Sequence, residues 1–304
     1  MRIGISLTSS QATDPPSRGG AVMVERAVAA HRAGLSSLTV GDHHAEASPY
    51  QQNTPILGRL LAEWPDRPAG CLFLLPLWSP VLVAEQVGTL AGLLDAPFIV
   101  QTGIGRGRSQ FASMGRELAT RGAVTDEMLR VVKGLLAGDT MTSDRLGMGP
   151  TRIGLRPDRG VEWWIGGHAD AALDRAAAHG DAWYAGPGLD RATMARLLDR
   201  YRAACTSRGV DPRAVVRQDV LVLADGDRAR KRAAELVATG YRGMSLDQLL
   251  VGDGDDAAAA VAELEQLGFE QVIIRCASPD QDEALETIEQ FGHLNRVIGG
   301  PDPS

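Results

Sequence analysis

The sequence predicts an α/β protein, a (β/α)₈ barrel in which eight parallel strands alternate with helices. Short apolar segments alternate with longer segments of helical period along the whole chain. The period changes near Gly, Pro or Asp residues, which mark the turns. Eight strand-like segments occur in 304 residues, a length typical of such a barrel. A doubly wound parallel sheet is the alternative architecture.

The predicted strands are short and nearly continuous in apolar residues, as expected for strands that are covered on both faces. They are Ile3–Leu7, Ser37–Val40, Cys71–Leu75, Phe98–Thr102, Glu162–Ile165, Asp181–Tyr184, Val216–Leu223 and Gln271–Arg275. Helical spacing is clearest after the third strand, where apolar residues recur at steps of four, three and four from Val83 to Leu94. Pro80 suits the first turn of that helix.

Two connections are longer than a minimal link between strand and helix. Residues 103–121 follow the fourth strand, and residues 138–160 form a polar, glycine-rich stretch before the fifth. Long connections in a compact domain are often functional. We therefore expect an insertion after strand 4, a long loop before strand 5, one barrel domain over residues 1–298 and a flexible tail over residues 299–304.

Composition excludes several classes of function. Acidic residues outnumber basic ones by 38 to 31, and there is no run of Lys and Arg, so we expect no nucleic-acid partner. The first apolar segment ends at Thr8, too early for a signal-peptide core or a membrane span, so we expect a cytoplasmic protein. The three cysteines are far apart and predict buried, reduced thiols.

Residues 41–46, Gly-Asp-His-His-Ala-Glu, follow the second predicted strand. In a parallel barrel they lie at the carboxyl-terminal rim, where active sites form. His43 and His44 are candidate catalytic residues, because imidazole exchanges protons near neutral pH. Asp42 and Glu46 are candidate residues of the substrate pocket. The alternative is that one histidine packs beneath the loop. We expect no metal, because the Pro-Cys-x-x-Cys partner of a zinc deaminase is absent.

A glycine-rich segment follows the fourth strand. Gly103 and Gly105 let the backbone approach a ligand closely, and the Arg106 guanidinium suits a phosphate. The alternative is a tight turn with a solvated arginine.

A second candidate phosphate site follows the fifth strand. Gly166, Gly167 and His168 precede a helix, whose free amides and positive end attract an anion. Trp78 and Trp183 stand at predicted strand ends, either as core residues or as a wall for a cofactor or substrate.

Taken together, these segments resemble the luciferase-like superfamily of flavin- and deazaflavin-dependent oxidoreductases. The resemblance covers most of the chain and rests on the order and spacing of several motifs. They are residues 1–5, 41–46, 74–86, 105–107, 111–115, 164–167 and 180–183.

The resemblance implies a barrel with an insertion after strand 4 and a cofactor at the carboxyl-terminal end. It also implies that His43 is catalytic and that Arg106 binds the FMN phosphate, as in the alpha subunit of bacterial luciferase. Gly166 and Gly167 look like the family's phosphate-binding turn. This sequence departs from the family at Trp78, where many members carry histidine, and at Gln110, where relatives often carry Glu.

We therefore expect a flavin-dependent monooxygenase that uses reduced FMN and O₂ on a small organic substrate. A separate flavin reductase is a candidate partner, and the outer helices are consistent with a homodimer. One alternative is an oxidoreductase that transfers a hydride with coenzyme F420. Another is a non-catalytic barrel subunit that stabilises an active chain.

Overall fold

The computed structural model describes residues 1–11, 13 and 15–299, and within them eight parallel strands close into a barrel. The barrel strands are β1 (Arg2–Leu7), β2 (Leu38–Val40), β3 (Ala69–Leu74), β4 (Phe98–Gly103), β5 (Val161–Gly166), β6 (Ala182–Ala185), β7 (Ala214–Val222) and β8 (Gln271–Cys276). The predicted (β/α)₈ barrel is confirmed, and each predicted strand overlaps one of these eight.

Pairing between β6 and β7 closes the sheet. Trp183 and Ala185 of β6 lie in register with Ala214 and Val216 of β7. The first strand pairs with β2 on one side and with β8 on the other. A doubly wound sheet has two free edges, so closure excludes that alternative. Because all eight strands are parallel, their carboxyl ends surround one mouth.

Helices surround the barrel. They are α1 (Gly19–Arg32), α2 (Asn53–Leu60), α3 (Pro80–Ala91), α4 (Arg108–Ser113), α5 (Arg121–Ala137), α6 (Asp170–His179), α7 (Arg191–Thr206), α8 (Gly226–Ala238), α9 (Gly254–Leu267) and α10 (Gln281–Gly299). The apolar stripe predicted for α3 is buried, including Val83, Val87 and Leu90. Within the described ranges, no helix combines the length and the apolar character that crossing a membrane needs.

The two long connections contain secondary structure of their own. The insertion after β4 carries the short helix α4. The connection before β5, predicted to be a loop, forms an antiparallel hairpin from Met141–Ser143 and Met148–Thr151. Arg130 of α5 donates to the Thr142 carbonyl at 2.8 Å and holds the hairpin against that helix. These strands are only three and four residues long, too short for a periodic signal in the sequence.

Two further details differ from the sequence prediction. An additional strand, Leu250–Gly252, pairs with Val220–Val222 of β7 near the mouth. Gly299, predicted to begin the tail, is the last residue of α10, and residues 300–304 lie outside the described residues. The three cysteines of the chain are buried and free, as predicted.

Apolar side chains fill the lower part of the barrel interior. They come from Ile99, Trp164, Ala182, Tyr184, Val215 and Ile273. Beside them, β3 and β4 approach so closely that a Cβ on Gly70 would lie 1.7 Å from the Ile99 carbonyl oxygen. Packed side chains and backbone therefore fill this part of the interior.

We predict that Gly70→Ala destabilises the barrel strongly. The added methyl group would overlap the backbone of β4, which cannot move without breaking the sheet, so we expect a loss of about 3 kcal/mol or more in the free energy of unfolding. The matched control is Gly149→Ala in the hairpin, where the added methyl group meets nothing within 4 Å. Thermal denaturation followed by circular dichroism compares the two, and equal midpoints would contradict the prediction.

Candidate active site

A cavity of about 210 Å³ opens at the carboxyl-terminal mouth of the barrel. One wall comes from the ends of β1 and β2 and the loops that follow them. The adjoining wall carries Arg217 of β7, Arg275 of β8 and Arg242, which lies in the short 3₁₀ turn Tyr241–Gly243 after α8. Sequence motifs after the second strand therefore meet residues from the last third of the chain.

Asp42 fixes the loop after β2. Its carboxylate is fully buried, and one oxygen accepts hydrogen bonds from the Leu74 backbone N–H at 2.7 Å and from the Trp78 indole at 2.8 Å. The other oxygen lies 3.1 Å from Nε2 of His44. The ends of β2 and β3 are thereby joined through a single side chain, and Asp42 also contributes to the wall of the cavity.

The two adjacent histidines have different environments. The His44 side chain is 12% exposed, and its ring meets the Trp78 ring edge-on at 5.3 Å between centroids. The His43 side chain is 52% exposed and lines the cavity. The alternative that one histidine packs beneath the loop therefore describes His44, whereas His43 is placed to meet a ligand.

Two neighbours compete for Nδ1 of His43. Glu46 Oε1 and Gln110 Nε2 each lie 3.3 Å from it. Nδ1 can donate to Glu46 or accept from Gln110, but one nitrogen of a neutral imidazole cannot do both, so these neighbours select the tautomer. No described residue hydrogen-bonds to Nε2. Burial lowers the pKa of His43, and the charges of Arg242 and Arg275 act in the same direction against those of Glu46 and Asp42.

Tyr50 completes the wall beside His43. The two rings meet edge-on at 5.7 Å between centroids. Ser10 and Tyr50 form an antiparallel bridge, and the Gln51 N–H donates to the Ser9 carbonyl at 2.9 Å, so the loops after β1 and β2 support each other. Burial raises the pKa of Tyr50 to about 12, so its hydroxyl keeps its proton at neutral pH. Sequence reasoning missed Tyr50, which belongs to no recognisable motif.

The three arginines of the cavity were also missed. Arg217 and Asp219 occupy alternate positions, on either side of Gln218, in a strand that is otherwise apolar. Arg275 is the last residue but one of another strand. Charges at every second position of a covered strand indicate a polar layer inside a barrel. That pattern was available in the sequence.

The predicted phosphate-binding residues lie on another side of the mouth. Arg106 is exposed after β4, and its charge acts on His168 after β5. Burial, and then the charge of Arg106, lower the pKa of His168, whose Nε2 accepts from the Gly186 N–H at 3.2 Å. No described side chain caps the start of α6, and Asp170 there faces Arg200 at 3.7 Å. The arrangement leaves positive groups free for an anion.

The four predicted cofactor-binding glycines are all sites of close packing. A Cβ on Gly105 would lie 2.8 Å from the Phe111 ring, and one on Gly103 would lie 3.0 Å from Leu74. A Cβ on Gly166 would lie 2.9 Å from the Thr102 carbonyl oxygen, and one on Gly167 would lie 2.5 Å from the Ala172 Cβ. A side chain at Gly105, Gly166 or Gly167 would thus collide with the protein's own atoms, whereas at Gly103 a small movement of Leu74 would make room.

The two predicted pocket tryptophans lie away from the cavity beside His43. Trp78 packs on Phe73 and His44 and borders a separate surface depression with Arg116 and Arg145. Trp183 is fully buried on the outer side of β6, and its indole donates to the Gly167 carbonyl at 2.9 Å. We therefore assign Trp183 to packing and to support of the Gly167 turn. The described residues contain no group of three or more His, Cys, Asp or Glu that could hold a metal ion.

Comparison with known families identifies the family of this chain. The model of the family described as luciferase-like monooxygenase matches residues 1–291. This chain belongs to the luciferase-like monooxygenase family. The resemblance drawn from the sequence motifs is therefore confirmed.

Members of the luciferase-like fold resemble this chain throughout. An F420-dependent secondary alcohol dehydrogenase, solved with an F420–acetone adduct, has a TM-score of 0.80 and 17% identity over 96% of this chain and 97% of its own. The oxygenating constituent of 3,6-diketocamphane monooxygenase from Pseudomonas putida, solved with FMN, has a TM-score of 0.78 and 14% identity over 97% of both chains. Luciferase-like neighbours of this chain thus bind either of the two expected cofactors.

A curated relative is closer in sequence but matches over less of the chain. It is an uncharacterized protein of Mycobacterium tuberculosis, 36% identical over 134 residues. The match covers 42% of this chain and 44% of the relative.

We predict that Asp42→Ala destabilises the protein by about 3 kcal/mol, because it leaves the Leu74 backbone N–H and the Trp78 indole N–H without their acceptor. The indole emission of Trp78 should change as well. The control, Asp95→Ala, removes an exposed carboxylate paired with Arg159 and should cost less than about 1 kcal/mol. Urea denaturation measures both variants. Similar losses in the two would show that Asp42 does not anchor the loop.

Proposed function

We propose that this chain is a flavin-dependent oxidoreductase, specifically a monooxygenase that uses reduced FMN and O₂ on a small organic substrate. The observation that carries the proposal is the position of His43. It is a half-exposed imidazole at the mouth of the barrel, bordering a cavity, with a lowered pKa and an unengaged Nε2 among the described residues. When bound, FMN would supply the electrons with which O₂ is activated.

The donor set on the β4 and β5 side fits an FMN phosphate. Arg106 offers a charged fork of N–H donors, and α6 begins without a described side-chain cap. The phosphodiester of F420 would meet the same donors. In a chain of net charge −7, such a concentration of positive groups favours an anion at this place.

His43 can move a proton in either direction at Nε2. When Nδ1–H donates to Glu46, Nε2 is unprotonated and accepts a proton from a ligand. When Nδ1 accepts from Gln110, Nε2 carries the proton and donates it. The buried hydroxyl of Tyr50 lies beside this ring and can donate to a ligand oxygen.

A second candidate function keeps the same residues and uses coenzyme F420 for hydride transfer. The similarity to the F420-dependent dehydrogenase, at a TM-score of 0.80, supports it. The proposed monooxygenase also requires a supply of reduced flavin, for which a separate reductase is the proposed partner. We also propose that the protein forms a homodimer.

Titration of the purified protein with FMN and with F420, each oxidised and reduced, tests the proposed function. Tight binding of reduced FMN supports the monooxygenase, and selective binding of F420 supports hydride transfer. If neither binds and a nicotinamide nucleotide does, the proposal fails. Turnover by the protein alone with substrate and reduced cofactor would exclude the non-catalytic subunit.

We predict that His43→Ala lowers kcat by about 100-fold or more and leaves flavin affinity unchanged, because proton transfer is lost and the phosphate donors remain. In the unaltered protein, kcat/KM should fall as the pH drops through the pKa of His43, which burial places below the usual 6.5. This acidic limb should be absent from the variant. His293→Ala changes an exposed histidine of α10 and is the control. An unchanged kcat in the His43 variant would remove His43 from the mechanism.

We predict that Arg106→Ala weakens FMN or F420 binding by about 10- to 100-fold, because a charged hydrogen bond to phosphate is lost. Arg108→Ala, two residues further along and also exposed, should have little effect. Fluorescence titration measures both affinities. Equal affinities in the two variants would place the phosphate elsewhere.

A further inference from the structure

The three arginines of the cavity form a cluster around one carboxylate. Asp219 of β7 lies in register with Arg275 of β8, and Arg217 projects from β7 on the same side as Asp219. Arg242 reaches the same carboxylate from the turn after α8. All three guanidinium groups border the cavity that His43 faces.

One buried carboxylate serves two of these arginines. Asp219 is fully buried, with Oδ1 3.2 Å from Arg217 Nε and Oδ2 3.3 Å from Arg242 Nε. The Tyr241 hydroxyl also donates to Oδ2, at 2.9 Å. Arg275 donates instead to the neutral hydroxyl of Thr8, at 3.1 Å. Three positive charges therefore stand against a single negative charge on this wall.

The acidic residues that line the cavity after β2 have other partners. Asp42 accepts from the Leu74 N–H and the Trp78 indole and contacts His44. Glu46 contacts His43 at 3.3 Å. The arginine wall thus keeps an excess of positive charge toward the cavity.

The donors of Arg217 indicate an acceptor that comes from outside the chain. Arg217 is only 13% exposed, yet its Nε and Nη2 lack a properly oriented hydrogen-bond acceptor among the described residues. Buried guanidinium donors are normally paired. Arg242 is held at φ +51°, in the left-handed region that disfavours side chains. Burial, followed by the charges of Arg275 and Arg217, lowers the pKa of Arg242 to about 10.

We propose that Arg217, Arg242 and Arg275 form a subsite for an oxyanion of the substrate, so that the substrate is a small organic acid with a carboxylate or a phosphate. Guanidinium groups pair with either through two parallel hydrogen bonds. That this anion is the substrate rests on the proposed function, but the binding of an anion at the cluster does not.

This subsite is distinct from the donors proposed for the cofactor phosphate. Arg275 lies on β8 and Arg106 follows β4, and these strands are four places apart in the circle of eight. They therefore stand on opposite sides of the mouth. A ligand held by its anionic group at the cluster would extend across the mouth, past His43.

Binding of three probes to the flavin-free protein tests the subsite. Benzoate and phenyl phosphate carry the two oxyanions, and benzamide is the neutral counterpart of benzoate. Isothermal titration at constant ionic strength should show at least about tenfold tighter binding of one anion than of benzamide. Tighter binding of benzoate would indicate that the subsite takes a carboxylate, and tighter binding of phenyl phosphate would indicate that it takes a phosphate. Equal affinity for all three probes would overturn the proposal.

Arg242→Gly removes one guanidinium group and suits the left-handed backbone, which offsets part of the stability lost with the Asp219 pair. Because Asp219 keeps Arg217 and the Tyr241 hydroxyl as partners, the variant should still fold. We expect about tenfold or greater loss of anion affinity and unchanged benzamide affinity. Arg217→Lys keeps the positive charge beside Asp219 but lacks the planar guanidinium group, so it should also weaken binding of the anion. The control is Arg130→Gln, a surface arginine of α5 paired with Glu127. Unchanged anion affinity in both cluster variants would overturn the proposal.

Cofactor titration separates this proposal from the proposed function. If Arg242→Gly weakens the binding of FMN or F420 as much as Arg106→Ala does, the cluster binds the cofactor and the proposal is wrong. If the protein binds neither cofactor but binds the anionic probe through the cluster, the oxidoreductase function fails and the subsite stands.

Discussion

Closure of the parallel sheet is the constraint on which the site depends. Once β6 pairs with β7, every strand ends at the same mouth, and residues distant in sequence become neighbours there. The approach of β3 to β4 at Gly70 and the apolar layer around Ile99 and Trp164 fill the space below. The polar layer in the upper part of the barrel has solvent or a ligand to meet.

Two buried carboxylates organise that layer. Asp42 joins the ends of β2 and β3 and leaves His43 at the cavity. Asp219 gathers Arg217, Arg242 and the Tyr241 hydroxyl on the other wall. A buried charge is tolerated only when it is paired, so each carboxylate holds its partners in place. The wall that Asp42 organises is thereby arranged for proton transfer by His43. The wall that Asp219 organises is arranged to bind a negatively charged group.

The fold could be predicted because eight covered strands leave eight apolar segments in the sequence, each bounded by a turn. The hairpin at Met141–Ser143 and Met148–Thr151 could not, since so few residues carry no period and its position depends on packing against α5. The site was predictable where residues sit in one short motif, as Asp42 and His43 do. The arginine cluster was not recognised because its members come from three separate segments, and Trp183 was placed in the pocket because a sequence does not say which face of β6 a residue occupies.

The backbone conformation of Arg242 lowers the stability of the protein, whereas its side chain contributes to selectivity for an anion. A side chain in the left-handed region costs about 1 kcal/mol or more relative to glycine, and the flanking Gly240 and Gly243 already adopt that conformation. Redesign guided only by backbone conformation would therefore favour glycine at residue 242 as well, although glycine would take from Asp219 one of its partners. A barrel made in that way would also lose one of the charges that distinguish an acidic ligand from a neutral one. This turn is thus a place where heat resistance and ligand discrimination should be optimised together.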